Sequence, residues 1–500
     1  MNRRCFSTSP ILIILSPMVS TKARAPHSTE RSFGCLLVSD CRRRLAHIQR
    51  LSRILGVLQL IDRDRRRRIL SLALPIIGGM ISQNVLNLVD TAMVGTLGAA
   101  ALAAVGMGSF ANFMAMAFVM GLSAGVQAIA ARRVGEGRWG DTASSLNAGL
   151  LMAVVIAVPW SLTLFTVADD LFPWLVDDPE VVAQGVPYLR ARLLGMVAVG
   201  MNFAFRGFWN GIGQSRRYLQ TLVIMHVCNV FLNWLLIFGH LGLPTLGTTG
   251  AGIGTAVSGF LGTAIYIHLA LRHARGSGFL RKLVDRKTIV SMLRLSIPAG
   301  FQSFFFAAGL TAFFWIIGRI GTPELAASNV LVQLLLVVIL PGVGFGLAAA
   351  SLVGEALGRG DPDDAVRWGW DVSRLAMVIV GAISLVGVIV PDLILGVFLH
   401  EPETIALART PLRLLGATMA WDTLGGVLLN ALMGAGASRL VMVVSVSLQW
   451  GLFLPVAYFL GPVLGMGLTA VWVAQVGYRA LQALVFAFIW KGRSWIHVKV

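Results

Sequence analysis

From Ile69 to Trp490, apolar residues run in twelve stretches separated by Gly, Pro or charged breaks. Each is near the roughly 20 residues a helix needs to cross a bilayer, where only a helix or a closed barrel satisfies its own backbone. The pattern predicts spans at 70–93, 101–130, 143–167, 185–208, 218–240, 250–271, 293–318, 327–353, 372–397, 410–433, 440–460 and 466–490.

The stretches repeat. A shift of 223 residues superposes Pro75 on Pro298, Gly95 on Gly318, Gly98 on Gly321, Leu102 on Leu325 and Ala103 on Ala326. Without a gap it continues through Gly121 and Gly344, Gly135 and Gly358, Gly137 and Gly360, Asp141 and Asp364, Pro179 and Pro402, Gly211 and Gly434, Gly213 and Gly436, and Ser215 and Ser438. After a shortening of eight residues, Gly250 and Gly252 match Gly465 and Gly467. Halves with an even number of spans enter the membrane from one side and are related by an axis along its normal. The expected fold is therefore an all-α integral membrane protein, twelve transmembrane helices in two six-helix lobes with that pseudo-twofold axis. Residues 69–271 form the N-lobe, 272–292 a cytoplasmic linker, 293–490 the C-lobe and 491–500 a cytoplasmic tail.

Composition agrees: 56% of the chain is hydrophobic and 13% charged, against about 25% charged in soluble domains. The net charge of +18 does not indicate nucleic acid, because residues 1–68 alone carry +11 of it. Ile11 to Leu15 is too short for a signal-peptide core. We expect residues 1–68 to be a disordered cytoplasmic tail, with a transit peptide or an over-extended gene start as alternatives. Further basic residues fall at Arg132, Arg133 and Arg138, at Arg216 and Arg217, and from Arg272 to Lys287, alternating with acidic or uncharged loops such as 168–180 and 400–403. Basic loops stay cytoplasmic, so both termini are expected inside. The loop holding Arg359 and Arg367 among Asp361, Asp363 and Asp364 is the weakest vote. Cys5, Cys35, Cys41 and Cys228 lack zinc spacing.

Ionisable groups at bilayer depth cost roughly 2.5–3.5 kcal/mol and need a partner or a task. Asp90 closes a stripe with Gln83, Asn87 and Thr91 on the first helix. His226, Asn229 and Asn233 form a second stripe on the fifth. Carboxylate and amide oxygens can coordinate Na+, and a desolvated carboxyl can instead carry a proton near neutral pH. The repeat places Asp90 on Phe313, so this acid breaks the internal symmetry. His226 is expected to satisfy a local hydrogen bond. Asp422 overlays Val199 and is either a second cation or cargo site or a carboxylate paired structurally. Gln302 lies among Phe301, Phe304, Phe305, Phe306 and Phe313, a set whose aromatic faces suit organic cations. No GxxxxGK[ST], HExxH, CxxC or GxSxG motif occurs, so neither nucleotide-driven pumping nor catalysis is expected.

The segments LALPIIGGMISQNVLNLVDTAMVGTLGAAALAAVG, AARRVGEGR, FRGFWNGIGQS and NVFLNWLLIFGHLGLPTLGTTGAGIGTA occur in that order. They closely resemble the multidrug and toxic compound extrusion (MATE) family over Leu70 to Trp490. The resemblance implies two lobes forming a V and export of amphipathic, often cationic, compounds in exchange for inward H+ or Na+. By position, Asp90 matches the family's first-helix cation-site aspartate, and Asn229 and Asn233 its fifth-helix polar pair. Asp422 matches a tenth-helix aspartate of members with a second-lobe cation site, but those carry a seventh-helix glutamate where this chain has Phe306. The LMGAGAS exit of the tenth helix also lacks an Arg that many relatives place before the first glycine.

The expected cation-coupling set is therefore Asp90, Asn229, Asn233, Asn87 and Gln83, with Na+ or H+ at Asp90, Asn229 and Asn233. Asp422, Gln302, Phe305 and Phe306 form a candidate second-lobe or substrate site. No cofactor beyond the coupling ion, no enzyme activity and no nucleic-acid partner is expected. We expect a monomer in the inner (plasma) membrane, surrounded by lipid and taking small organic substrates. Alternatives are a lipid-linked precursor flippase, which should show several basic residues in its cavity, a membrane enzyme or receptor, and a carrier of the other large twelve-helix superfamily.

Overall fold

The structure, a computed structural model, describes residues 61–281, 284–399 and 401–498. Residues 1–60, with Cys5, Cys35, Cys41 and the expected disordered tail, lie outside them, as does His400 of the 400–403 loop. Secondary structure among the described residues is entirely helical. Twelve long helices follow in order: α1 (Arg63–Gly95), α2 (Ala99–Gly135), α3 (Ala143–Thr166), α4 in two segments (Pro179–Leu194 and Met196–Gly211), α5 (Ser215–Phe238) and α6 (Gly247–His273). The second half holds α7 (Arg286–Gly318), α8 (Thr322–Gly358), α9 (Pro362–Ile389), α10 (Pro402–Gly434), α11 (Ser438–Val463) and α12 (Gly467–Gly492).

Ten of these are long and apolar enough to cross a membrane. The other two are α4, interrupted at Gly195, and α10, which carries Arg409, Arg413 and Asp422. Helix starts at Arg63, Ala99, Pro179 and Ser215 recur 223 residues later at Arg286, Thr322, Pro402 and Ser438. The turns repeat as well. Gly137 and Gly360 have φ of 72° and 75°, and Gly213 and Gly436 have 75° and 95°, left-handed conformations that glycine adopts without a Cβ clash. The sixth and twelfth helices depart from the expected match, because they begin 220 residues apart, at Gly247 and Gly467, rather than in the register of Gly250 with Gly465.

Two boundaries are corrected. Arg63 to Arg68 belong to α1 rather than to a tail, and α7 starts at Arg286, inside the supposed linker. The supposed C-terminal tail is tied down: the Trp495 ring stacks on Trp490 at 4.0 Å and its indole N–H donates to the Trp490 carbonyl. Polar ends that extend beyond the apolar stretch explain the longer helices. At 37 residues, α2 measures about 55 Å against roughly 30 Å of hydrocarbon.

Each half has its own core, with Phe205, Phe208 and Trp209 in the first and Phe313, Phe453 and Trp472 in the second. Between halves, α2 packs on α7 and α8 packs on α1. Lipid supplies little hydrophobic drive for this, so close approach of backbones does the work. A Cβ on Gly135 would collide with the Glu355 carbonyl, and one on Gly358 with the Arg132 carbonyl. The end of the molecule bearing the basic loops is thereby shut.

Polar contacts reinforce that closure. Gln127 donates to the Leu347 carbonyl at 2.7 Å and to Ser351 Oγ at 2.9 Å. Arg65 contacts Asp364 and Asp371 at 2.6 and 2.7 Å and lies 3.6 Å over the Trp368 ring. Arg68 contacts both oxygens of Glu355 at 2.6 Å. Asp364 also pairs with Arg359 and Asp363 with Arg493, so two of the acids that blurred the charge of the 8–9 loop are partners for arginines.

Candidate ion site and central cavity

Asp90 lies near the end of α1 away from the basic loops, facing α5. Asn233 donates its side-chain N–H to Asp90 Oδ1 at 2.8 Å and to Asn229 Oδ1 at 3.1 Å. Asn229 in turn donates to Ser258 Oγ on α6 at 3.0 Å, and Ser258 to the Thr255 carbonyl. Asn229 and Asn233 are 1% and 0% exposed, so the amides are held by packing. No arginine forms an ion pair with Asp90 among the described residues, and its second oxygen has no donor there. Asn233 Oδ1 is buried without a partner. A carboxylate with one oxygen free beside an unsatisfied amide oxygen can receive a proton or contribute ligands to Na+.

Gln83 and Asn87 do not join this group. Gln83 donates to Asn87 at 3.1 Å, one turn along α1. Its carbonyl oxygen meets His226 Nε2 at 3.1 Å, and His226 Nδ1 lies 2.7 Å from Ser82 Oγ. An amide oxygen only accepts, so Nε2 carries the hydrogen and Nδ1 accepts from Ser82. The ring is fully satisfied as a neutral imidazole. The two stripes thus form two networks, one ending on Asp90 and one on His226. Ser258 and Ser82 were missed in the sequence because hydroxyls at helical spacing are common and carry no distinguishing pattern.

A separate cavity of about 290 Å³ lies between the lobes. Met80 of α1, Arg206 of α4, Gln302 and Phe306 of α7, Asp422 of α10 and Arg479 of α12 are among its lining residues. Asp422, Gln302 and Phe306 line it together. Phe305 does not line it. That ring packs against Trp450 instead, and the Trp450 indole N–H donates to the Phe305 carbonyl. Gln449 reaches the cavity from a stretch of α11 widened to π-helix, Ser447–Phe453, a distortion common at functional sites.

Asp422 is held by Arg479, with Nε 2.6 Å from Oδ1 and Nη2 3.1 Å from Oδ2. Of the two readings of Asp422, this geometry is the structural pair. It leaves no oxygen pair free for a cation, and with Phe306 at the α7 position nothing else there supplies a carboxylate. Arg479 was overlooked in the sequence although GYRALQ stands in mid-span. Its place in the middle of the span was the available signal, since an anchoring arginine sits at a helix end.

Residues 75–235 and 298–459 match the family model MatE. The chain belongs to the MatE family. The two matches coincide with the two lobes, and the protein is a multi-pass membrane transporter, not an enzyme. It is similar to a probable multidrug resistance protein NorM of Thermotoga maritima, 25% identical over 84% of this chain and 92% of the relative. A probable NorM of Brucella suis is 27% identical over 86% and 93%, and the multidrug resistance protein PmpM of Pseudomonas aeruginosa 25% identical over 80% and 84%. Among solved structures, the fold is shared with an outward-facing multidrug resistance MATE transporter of the MOP superfamily. Its TM-score is 0.79 at 20% identity, covering 87% of this chain and 97% of that one. A MATE structure in a bent conformation gives 0.78 at 22% identity, covering 87% and 97%.

Proposed function

We propose that this transporter exports amphipathic organic compounds in exchange for H+ or Na+ entering at Asp90. The observation that carries this is the placement of two unlike sites on one helix. Met80 of α1 lines the cavity and Asp90 of α1 binds Asn233, ten residues or about 15 Å along the helix. Ion at one end and cargo at the other can each favour a different placement of α1 between the lobes, which is reciprocal coupling.

A monovalent cation moving inward across 100 mV releases about 2.3 kcal/mol, sufficient for a cargo ratio above tenfold. The NorM and PmpM relatives support multidrug cargo. The basic loops support both termini inside, and the bacterial NorM and PmpM relatives support residence in the inner membrane. The alternative of a lipid-linked precursor draws on Arg206 alone in the cavity, since Arg479 is taken by Asp422.

The test is efflux of a fluorescent amphiphile from proteoliposomes under an imposed proton or sodium gradient. Export that follows one of the two gradients supports the reading. Export indifferent to both, or dependent on ATP, contradicts it.

A further inference from the structure

Three charged side chains line the central cavity: Arg206, Asp422 and Arg479. Two cancel, because Asp422 gives both oxygens to Arg479 at 2.6 and 3.1 Å. Arg206 has no carboxylate partner among the described residues. Its Nε donates to the neutral Ser123 hydroxyl at 3.1 Å, the guanidinium also meets the neutral Tyr218 hydroxyl, and it lies 4.5 Å from the Phe203 ring centroid. The cavity thus holds one unbalanced positive charge. Gln302, also on the wall, has a side-chain amide with no hydrogen bond among the described residues. Phe306, Met80 and Met120 supply apolar and polarisable surface.

A guanidinium walled in between helices without a counter-charge is costly, and that cost is relieved by a ligand bringing the missing anion. A planar guanidinium matches a carboxylate in a two-point contact. A permanent organic cation would meet repulsion from Arg206 and no free carboxylate. Deepening the export reading above, on which its transport role rests, we propose that the cavity binds amphiphiles bearing a carboxylate on an aromatic body. The carboxylate sits on Arg206, Gln302 is available to donate, and the ring lies against Phe306 and the methionines. Zwitterions carrying the same carboxylate are admitted, and quaternary monocations are disfavoured. The volume of about 290 Å³ holds one small ring system, near the lower bound of ligand pockets.

Equilibrium dialysis of the purified full chain in detergent, without any ion gradient, tests this using 1-naphthylacetate and naphthylmethyl-trimethylammonium as matched probes. The expected result is that the wild type binds the carboxylate about tenfold or more tighter than the ammonium, equivalent to roughly 1.4 kcal/mol. Arg206→Gln should remove that preference and Arg206→Lys keep part of it. The wild-type comparison stands even where a variant fails to fold. Tighter binding of the ammonium, binding of neither probe, or an undiminished preference in folded Arg206→Gln would each overturn the proposal. Gradient-independent vesicles with this preference intact would instead remove the exchange reading and leave the carboxylate site standing.

Discussion

Asn233 donates to Asp90 across 2.8 Å, and the same amide nitrogen reaches Asn229 at 3.1 Å. The carboxylate is oriented by a neutral donor that cannot cancel its charge. Asp422 in the other lobe is gripped by a guanidinium at both oxygens. Two acids within the helical bundle therefore have opposite prospects as ion carriers, and the difference lies in their partners.

Gly254 offers a way to disturb the first without deleting a polar group. A Cβ there would collide with Asn233 Oδ1, so Gly254→Ala should push the amide off Asp90. Losing a donor to the ionised form removes about 1.5 kcal/mol. Under proton coupling, the pH profile of exchange should move alkaline by about one unit. A profile matching wild type in vesicles would show that the Asn233 contact does not tune the site.

The Asp422–Arg479 pair should behave as structure. Asp422→Asn leaves Arg479 largely buried without its counter-charge and should cost about 3 kcal/mol, read as a lowered melting temperature in detergent. Replacing both, as Asp422→Leu with Arg479→Met, should recover most of the loss. Equal melting temperatures for wild type and Asp422→Asn would contradict the assignment.

The spans and repeat were legible because hydrocarbon thickness imposes a length and the two halves preserve their glycines. Gly137, Gly213, Gly360 and Gly436 mark turns that no other residue makes as easily. Asp90, Asn229 and Asn233 were legible because polar groups in apolar runs stand out. Partners were not. Asp422 and Arg479 are 57 residues apart, and Arg65 and Asp371 are 306 apart, so only packing brings them together. Arg65 and Arg68 read as solvated charge in the sequence, whereas they reach the acids of the opposite lobe.

That clamp should govern opening of the basic-loop end. Glu355 serves both Arg68 and Arg359, and a pair of this kind contributes about 1 kcal/mol. In a cysteine-free background carrying Ser351→Cys, adding Glu355→Ala should raise thiol labelling about fivefold, and high salt should do the same to its parent. Labelling unchanged by either would place the closure in the glycine contacts alone.

His226 should be dispensable for coupling, since both ring nitrogens are satisfied by Ser82 and Gln83. His226→Gln should preserve the pH dependence of exchange within a factor of about two. Loss of that dependence would make the imidazole the proton carrier.

The central claim is that an ion on Asp90 and cargo in the cavity exclude one another. Cargo titrated into purified protein in unbuffered detergent, with a pH indicator and with radiolabelled Na+ in parallel, reads this linkage directly. The account predicts release of about one H+ or one Na+ per wild-type chain and none from Asp90→Asn. Equal release from both proteins, or release from neither while cargo binds, would contradict it.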